Sequence, residues 1–185
     1  MRKLVALVLA LCLVFGATCA MAIETQTIQV GPMNFQLPSA LSGGLYANGN
    51  PGIEAHTYSC AKYNIDIASL NFEAAENDKC LSSVLSLDHL ADEHSTALYW
   101  SLQLFAGVDA KTAATFLDNA KSIHWNGVEL KILSTPRFVA MAFCHEGTGY
   151  FLGLSRTEGS SISQSQMETI GLEIASSYHL AELAE

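Results

Sequence analysis

Four groups of residues carry side chains that could do chemistry, and their spacing decides what each can do. His89-Leu90-Ala91-Asp92-Glu93-His94 places two imidazoles beside two carboxylates. A helical zinc site takes two histidines four residues apart, on one face, with a glutamate beside one of them as base. Here the histidines are five apart, which splays the rings by roughly 140° around a helix. That spacing predicts a polar helix end running into a loop. Cys144-His145-Glu146 offers a thiol next to an imidazole. Adjacent residues of a strand point to opposite faces, so the two cannot pair as nucleophile and base. Val139, Met141 and Phe143 share a face with His145, and Ala140 and Ala142 share the other with Cys144. Cys144 then packs as a small apolar residue or joins a disulfide.

Gly147-Thr148-Gly149-Tyr150-Phe151-Leu152-Gly153 is glycine-rich like a phosphate loop. No helix start follows it, and a phosphate loop needs the amides of one. A turn explains its first glycines, and a bulge or close packing explains Gly153. His56, Tyr58 and Cys60 alternate along one strand face, which is too few ligands for a metal and fits a polar sheet face. Tyr99, Trp100 and Trp125 read as core or helix–sheet contacts and not as a sugar platform. On this reading no residue is assigned as catalytic, cofactor-binding or metal-ligating, and no cofactor is expected. An enzyme would have to be built from dispersed residues, such as His89, Glu93, His94 and His145 for a metal-dependent hydrolase, or Cys144 for thiol chemistry.

The elements that would position these groups follow from pattern. Ile28 and Val30, a turn at Gly31-Pro32, and Met33 to Pro38 with alternating apolar residues predict a short hairpin ended by Pro38. Residues 39–52 hold a dense set of turn formers, including Gly43-Gly44, with a short strand around Leu45-Tyr46-Ala47. Ile53 to Ser59 and Tyr63 to Phe72 read as two antiparallel strands. Helices are expected over about 80–91, then from a Ser95 cap through Leu98, Tyr99, Leu102 and Phe105 to Gly107, then from an Asp109 cap over Ala110 to Lys121. Asn126-Gly127 between Ser122–Trp125 and Val128–Leu133 is a strong signal for a type I′ hairpin. Arg137 to His145 and Tyr150 to Arg156 complete a four-stranded meander. Ser165 with Glu168 reads as a capping box for a closing helix with Met167, Ile170, Ile174, Tyr178 and Ala181 on its apolar face. The expected class is α+β: an antiparallel sheet with a C-terminal meander, a central helical block and a closing helix.

This arrangement resembles the PsbP-like family of α-β-α sandwiches. The residues that carry the resemblance are the proline-ended segment Phe35-Gln36-Leu37-Pro38, the meander Phe138 to Arg156 and the final helix Gln166 to Leu183. The resemblance implies a binding or assembly-helper role without catalysis, and no functional residue of the family has a counterpart here. The central block, Cys80 to Lys121, is larger than the family's pattern.

The chain opens with Met1-Arg2-Lys3, an apolar run from Leu4 to Phe15, and small residues ending in Ala20-Met21-Ala22. A positive start, an apolar core and an A-x-A site are the parts of a secretory signal peptide. The apolar run is too short for a stable span, which takes about 20 residues. Gly16 stands where a lipid-anchored Cys19 would need an aliphatic residue. Cleavage after Ala22 is expected, leaving residues 23–185 as a single domain outside the cytoplasm, secreted or in the cell envelope. Arg2 and Lys3 leave with the signal, so seven basic and 18 acidic residues remain and the net charge falls from −9 to −11. That balance excludes a nucleic-acid surface, which needs clustered Lys and Arg.

Cys60, Cys80 and Cys144 also remain. One bridge plus one free thiol suits an oxidising compartment. Cys60–Cys80 closes the shortest loop and would stabilise by about 3 kcal/mol, with the other two pairings open. The function expected is that of a non-enzymatic binding or accessory domain for a protein, an envelope component or a small ligand.

Overall fold

The structure, a computed structural model, describes residues 24–46, 52–77 and 92–182. Along these residues run strands β1 (Thr25–Val30), β2 (Met33–Pro38), β3 (Ser42–Tyr46), β4 (Ile53–Ser59) and β5 (Tyr63–Asn71). Helices α1 (Phe72–Asn77), α2 (Glu93–Leu104) and α3 (Ala110–Leu117) follow. Strands β6 (Lys121–Trp125), β7 (Val128–Ser134), β8 (Phe138–His145) and β9 (Thr148–Arg156) lead to helix α4 (Gln164–Glu182). The expected signal segment, residues 1–22, lies outside the described residues, as do Cys80, His89 and the helix expected over 80–91.

β1 and β2 pair as the expected hairpin, while the other strands form one antiparallel sheet in the order β3-β4-β5-β9-β8-β7-β6. The four-stranded meander is present as β6 to β9. Its two tight turns use positive φ at Asn126 (45°) with Gly127 (84°), and at Glu146 (48°) with Gly147 (78°). Both are two-residue connections whose twist suits an antiparallel pair. The second is shorter than the expected Glu146–Gly149 turn, and β9 starts already at Thr148, opposite His145. β9 then pairs with β5 along nine residues and so joins the meander to β3-β4-β5.

The sheet is covered on both sides, which produces two cores. On one side, the β1–β2 hairpin and α4 pack on Ile65, Ile67, Met141, Phe143, Tyr150 and Leu152. Phe35, from the proline-ended segment, is central there: its ring lies 6.2 Å from Phe143, 5.6 Å from Tyr150 and 6.0 Å from Tyr178. The Gln36 amide donates to Ser177 Oγ at 2.9 Å and ties the hairpin to α4. On the other side, α2 and α3 lie over Ala55, Ala68, Ala140, Ala142 and Phe151. Small side chains on that face let α2 approach closely, and residues 95–102 of the helix are all buried.

Several local expectations are corrected. α2 is capped by Asp92, whose carboxylate accepts from the Ser95 amide at 2.8 Å, so Ser95 lies inside the helix. α3 begins at its Asp109 cap but stops at Leu117, and Lys121 opens β6 because Ser122 to Trp125 are drawn into pairing with β7. The capping box of α4 is Ser163 with Gln166, not Ser165 with Glu168. Ser163 Oγ accepts from the Gln166 amide at 3.2 Å, and Gln166 Oε1 accepts from the Ser163 amide at 2.9 Å. Gly43 and Gly44, read as turn formers, lie in β3, and Phe72 begins α1 and does not end β5.

Candidate functional site

One row of residues crosses the middle of the sheet on its α2 side. Thr57 on β4 stands opposite Asp66 on β5, Asp66 opposite Gly153 on β9, and Gly153 opposite Ala140 on β8. Asp66 is thus flanked on one side by a residue without a side chain and then by a methyl group. The missing bulk leaves a cleft of about 230 Å³ between the sheet and the C-terminal end of α2. Phe105 and Phe138 supply apolar wall and Asp66 and Ser101 the buried polar groups; Arg137 and Arg156 border it at the strand ends, where Arg156 stands opposite Tyr63 of the other core.

The polar groups are held in an unusual state. Asp66 is 9% exposed and its Oδ1 accepts from Thr57 Oγ1 at 2.8 Å. Burial pushes its carboxyl up to about 6, against the lowering effect of that hydrogen bond. Ser101 is 1% exposed, and its hydroxyl has no hydrogen-bond partner among the described residues. Buried hydroxyls are normally paired, and leaving one unpaired costs about 1–3 kcal/mol. Arg137 and Arg156 adjoin across β8 and β9, where the Arg156 amide donates to the Arg137 carbonyl at 3.0 Å. Neither forms an ion pair with a described residue.

Two other depressions are present. A wider groove of about 1130 Å³ runs between β2, the Cys60–Tyr63 turn and α4, and carries no buried carboxyl or imidazole. A third, of about 480 Å³, is bordered by Asp92, His94, His124 and Lys131. There Lys131 Nζ already pairs with Asp92 Oδ2 at 2.8 Å. The cleft beneath α2 is smaller than either, but it alone of the three holds a buried acid together with an orphaned hydroxyl.

Among the described residues, those singled out from sequence are not assembled into one centre. Glu93, at the start of α2, is the anionic neighbour of the Cys144 thiol. Desolvation, reinforced by Glu93, pushes that thiol up to about 12, so it is protonated and unreactive at neutral pH. His145 lies through the sheet on the opposite side, its ring 5.1 Å from Tyr178 of α4. Cys144 and His145 therefore point apart, as strand alternation requires. His94 sits with its Nδ1 4.0 Å from Asp92 Oδ1, away from His145. Among the described residues no three His, Cys, Asp or Glu side chains converge as metal ligands.

The remaining candidates have structural settings. Cys60 and Cys144 are not bridged to each other. His56 Nε2 meets Glu54 Oε1 at 2.9 Å, and its ring stacks on Tyr58, which is buried in the core and not on a polar face. Tyr99 and Trp100 are core residues, whereas Trp125 is 38% exposed. Gly153 sits in unbroken register, so close packing and not a bulge explains it.

The sequence reading missed Asp66 and Ser101. Asp66 had a signal: Ala68 and Leu70 share its strand face, so an acid there faces a core and not solvent. Ser101 had none, since its burial depends on where α2 lands.

No protein-family model matches the chain, and no curated protein matches it. The fold is similar to that of a cyanobacterial PsbP. The solution structure of that protein, CyanoP from Synechocystis sp. PCC 6803, matches at 12% identity and a TM-score of 0.48, over 87% of this chain and 96% of that one. The PsbP-like resemblance expected from element order is found, as a likeness of fold. It says nothing of ligand or activity.

Proposed function

We propose that the protein is an exported, non-catalytic binding domain of the extracytoplasmic space, and that the cleft beneath α2 takes a small ligand. Export rests on the signal-like residues 1–22, and among the described residues no helix is long and apolar enough to cross a membrane. The observation that carries the binding reading is the buried Ser101 hydroxyl, left without a partner in the same cleft as a desolvated carboxyl. A few convergent polar groups in an apolar concavity are what a small-molecule site needs. Among the described residues no base contacts Ser101, and burial holds the Cys144 thiol protonated, which favours binding over catalysis.

A thermal-shift screen of the exported protein against small metabolites tests this reading. It expects a compound that raises the Tm of the wild type and not of Ser101→Val. Turnover in a broad hydrolase screen, abolished by Asp66→Asn or Ser101→Val, would replace binding with catalysis. N-terminal sequencing of the secreted protein should begin at Ile23, and non-reducing peptide mapping decides the proposed Cys60–Cys80 pairing.

A further inference from the structure

We infer that the ligand of this cleft is a small organic cation, a primary amine on a compact apolar body, whose ammonium is held between Asp66 and Ser101. This rests on reading the cleft as a binding site and adds the charge of what it binds. Asp66 lacks a countercharge. It lies on the α2 face with Ala68 and Leu70, and among the described residues it accepts from Thr57 and forms no ion pair. The two bordering arginines do not supply one. Arg156 stands opposite Tyr63, and Arg137 alternates with Phe138 and shares a face with Val139, so both side chains fall to the α4 side. Ser101 lies in the last turn of α2 and presents a hydroxyl oxygen that can accept from the same ammonium. The carbonyl end of a helix carries partial negative charge, and this last turn has no basic residue to answer it. Acid, hydroxyl and helix end thus all favour positive charge, while Phe105, Phe138 and Ala140 give the body an apolar wall.

Other ligands leave the cleft unanswered. An anion meets the buried Asp66 carboxylate, which is ionised above about pH 6, and the negative end of α2, with no cationic side chain on that face to offset them. A bare metal ion finds one carboxylate and one hydroxyl, and among the described residues no three His, Cys, Asp or Glu side chains converge as ligands. A neutral apolar molecule leaves Asp66 and Ser101 desolvated and unpaired, which is costly. An ammonium has three donors, enough for the carboxylate and the hydroxyl at once, and its bond to a carboxylate is charge-assisted. The chain as a whole favours such a ligand too. Without residues 1–22 it carries seven basic and 18 acidic residues, a net charge of −11 that draws cations to its surface. The volume of about 230 Å³ limits the ligand to a small molecule.

Calorimetric titration of the exported protein at pH 7.5 tests this with butylamine and benzylamine, with the alcohols of the same skeletons (butan-1-ol and benzyl alcohol), and with butyrate and benzoate. One of the two amines is expected to bind at least tenfold tighter than its alcohol, and neither carboxylate is expected to bind. Asp66→Asn, its fold verified by circular dichroism, is expected to weaken the amine at least tenfold, and Ser101→Ala at least threefold. The double variant Arg137→Gln/Arg156→Gln is expected to bind it as the wild type does. The amine–alcohol comparison needs only the wild type, so it decides even where a variant fails to fold. The inference is overturned if an alcohol or carboxylate binds as tightly as the matching amine, or if folded Asp66→Asn or Ser101→Ala binds the amine unchanged. Loss of binding in the arginine variant, or no binding by any compound, overturns it as well. In the last case the thermal-shift screen still decides the binding reading: a hit of another class that needs Ser101 keeps the binding domain while discarding the amine.

Discussion

Asp66 on β5 stands directly opposite Gly153 on β9, and a Cβ added to Gly153 would lie 3.4 Å from the Cβ of Phe105. The glycine therefore does two things at once: it leaves room beside the buried acid and lets the end of α2 settle on the sheet. The distance is ordinary van der Waals contact, so Gly153→Ala should fold normally, with a Tm within a few degrees of wild type. Gly153→Val adds branches where Phe105 already packs and should destabilise by about 1–3 kcal/mol. Chemical denaturation of the two variants separates these outcomes. Equal stability would mean that Phe105 does not close over the strand.

Asp66 should make stability fall as pH rises through the acid range. Its carboxyl titrates near 6 when folded and near 3.8 when free, so the folded state holds its proton more tightly. Below about pH 4 both states are protonated and burial carries no electrostatic penalty. Between about pH 4 and 6 the unfolded chain ionises first, and by pH 7 the penalty reaches about 3 kcal/mol. Asp66→Asn keeps an acceptor for Thr57 and removes the charge. Urea denaturation should show the variant near wild type at pH 4 and more stable by about 1–3 kcal/mol at pH 7. A difference that does not change with pH would show that Asp66 is solvated.

The Cys144 thiol should resist alkylation. Desolvation first and Glu93 second hold it protonated well above neutral pH, and the thiolate is the reactive form. Iodoacetamide labelling of the native protein at pH 8, read by peptide mass spectrometry, should leave Cys144 unmodified long after a denatured control has reacted. Glu93→Gln removes the anionic neighbour and should speed labelling modestly, with burial still limiting it. Rapid labelling of native Cys144 would return thiol chemistry to consideration.

Asp92 should matter both as a cap and as an anchor. It accepts from the Ser95 amide at 2.8 Å and from Lys131 Nζ at 2.8 Å, joining the start of α2 to β7. Partial burial works against its ionised form, but the Lys131 and Ser95 donors prevail and lower its pKa. Asp92→Ala should cost about 1–2 kcal/mol, most of it the lost cap, since the side chain is partly exposed and its ion pair is screened. Asp92→Asn keeps a capping oxygen and should recover most of that loss. In thermal denaturation, equal losses for the two variants would assign the effect to the charge instead.

The antiparallel meander, the first hairpin and the closing helix were legible because each is signalled locally. Strand alternation placed Val139, Met141 and Phe143 on one face and Ala140 and Ala142 on the other, and both cores follow that division. Asn126-Gly127 marks its hairpin because few residues accept positive φ at both turn positions. Helix caps were harder. Asp92 and Ser95, or Ser163 and Ser165, are equally good caps by composition, and the choice falls to whichever register packs the apolar face onto the sheet.

What the sequence determined by itself is the set of elements and the face each strand presents, because backbone sterics and side-chain alternation act over a few residues. The pairing of β5 with β9 was decided only in the tertiary structure, since these segments are some 80 residues apart and nothing local selects the partner. The cleft depends on that pairing. It brings Gly153 beside Asp66, and α2 then covers both and buries Ser101 with its hydroxyl unpaired. Burial is a property of the assembled layers, so Asp66 becomes a desolvated acid only once both faces of the sheet are covered.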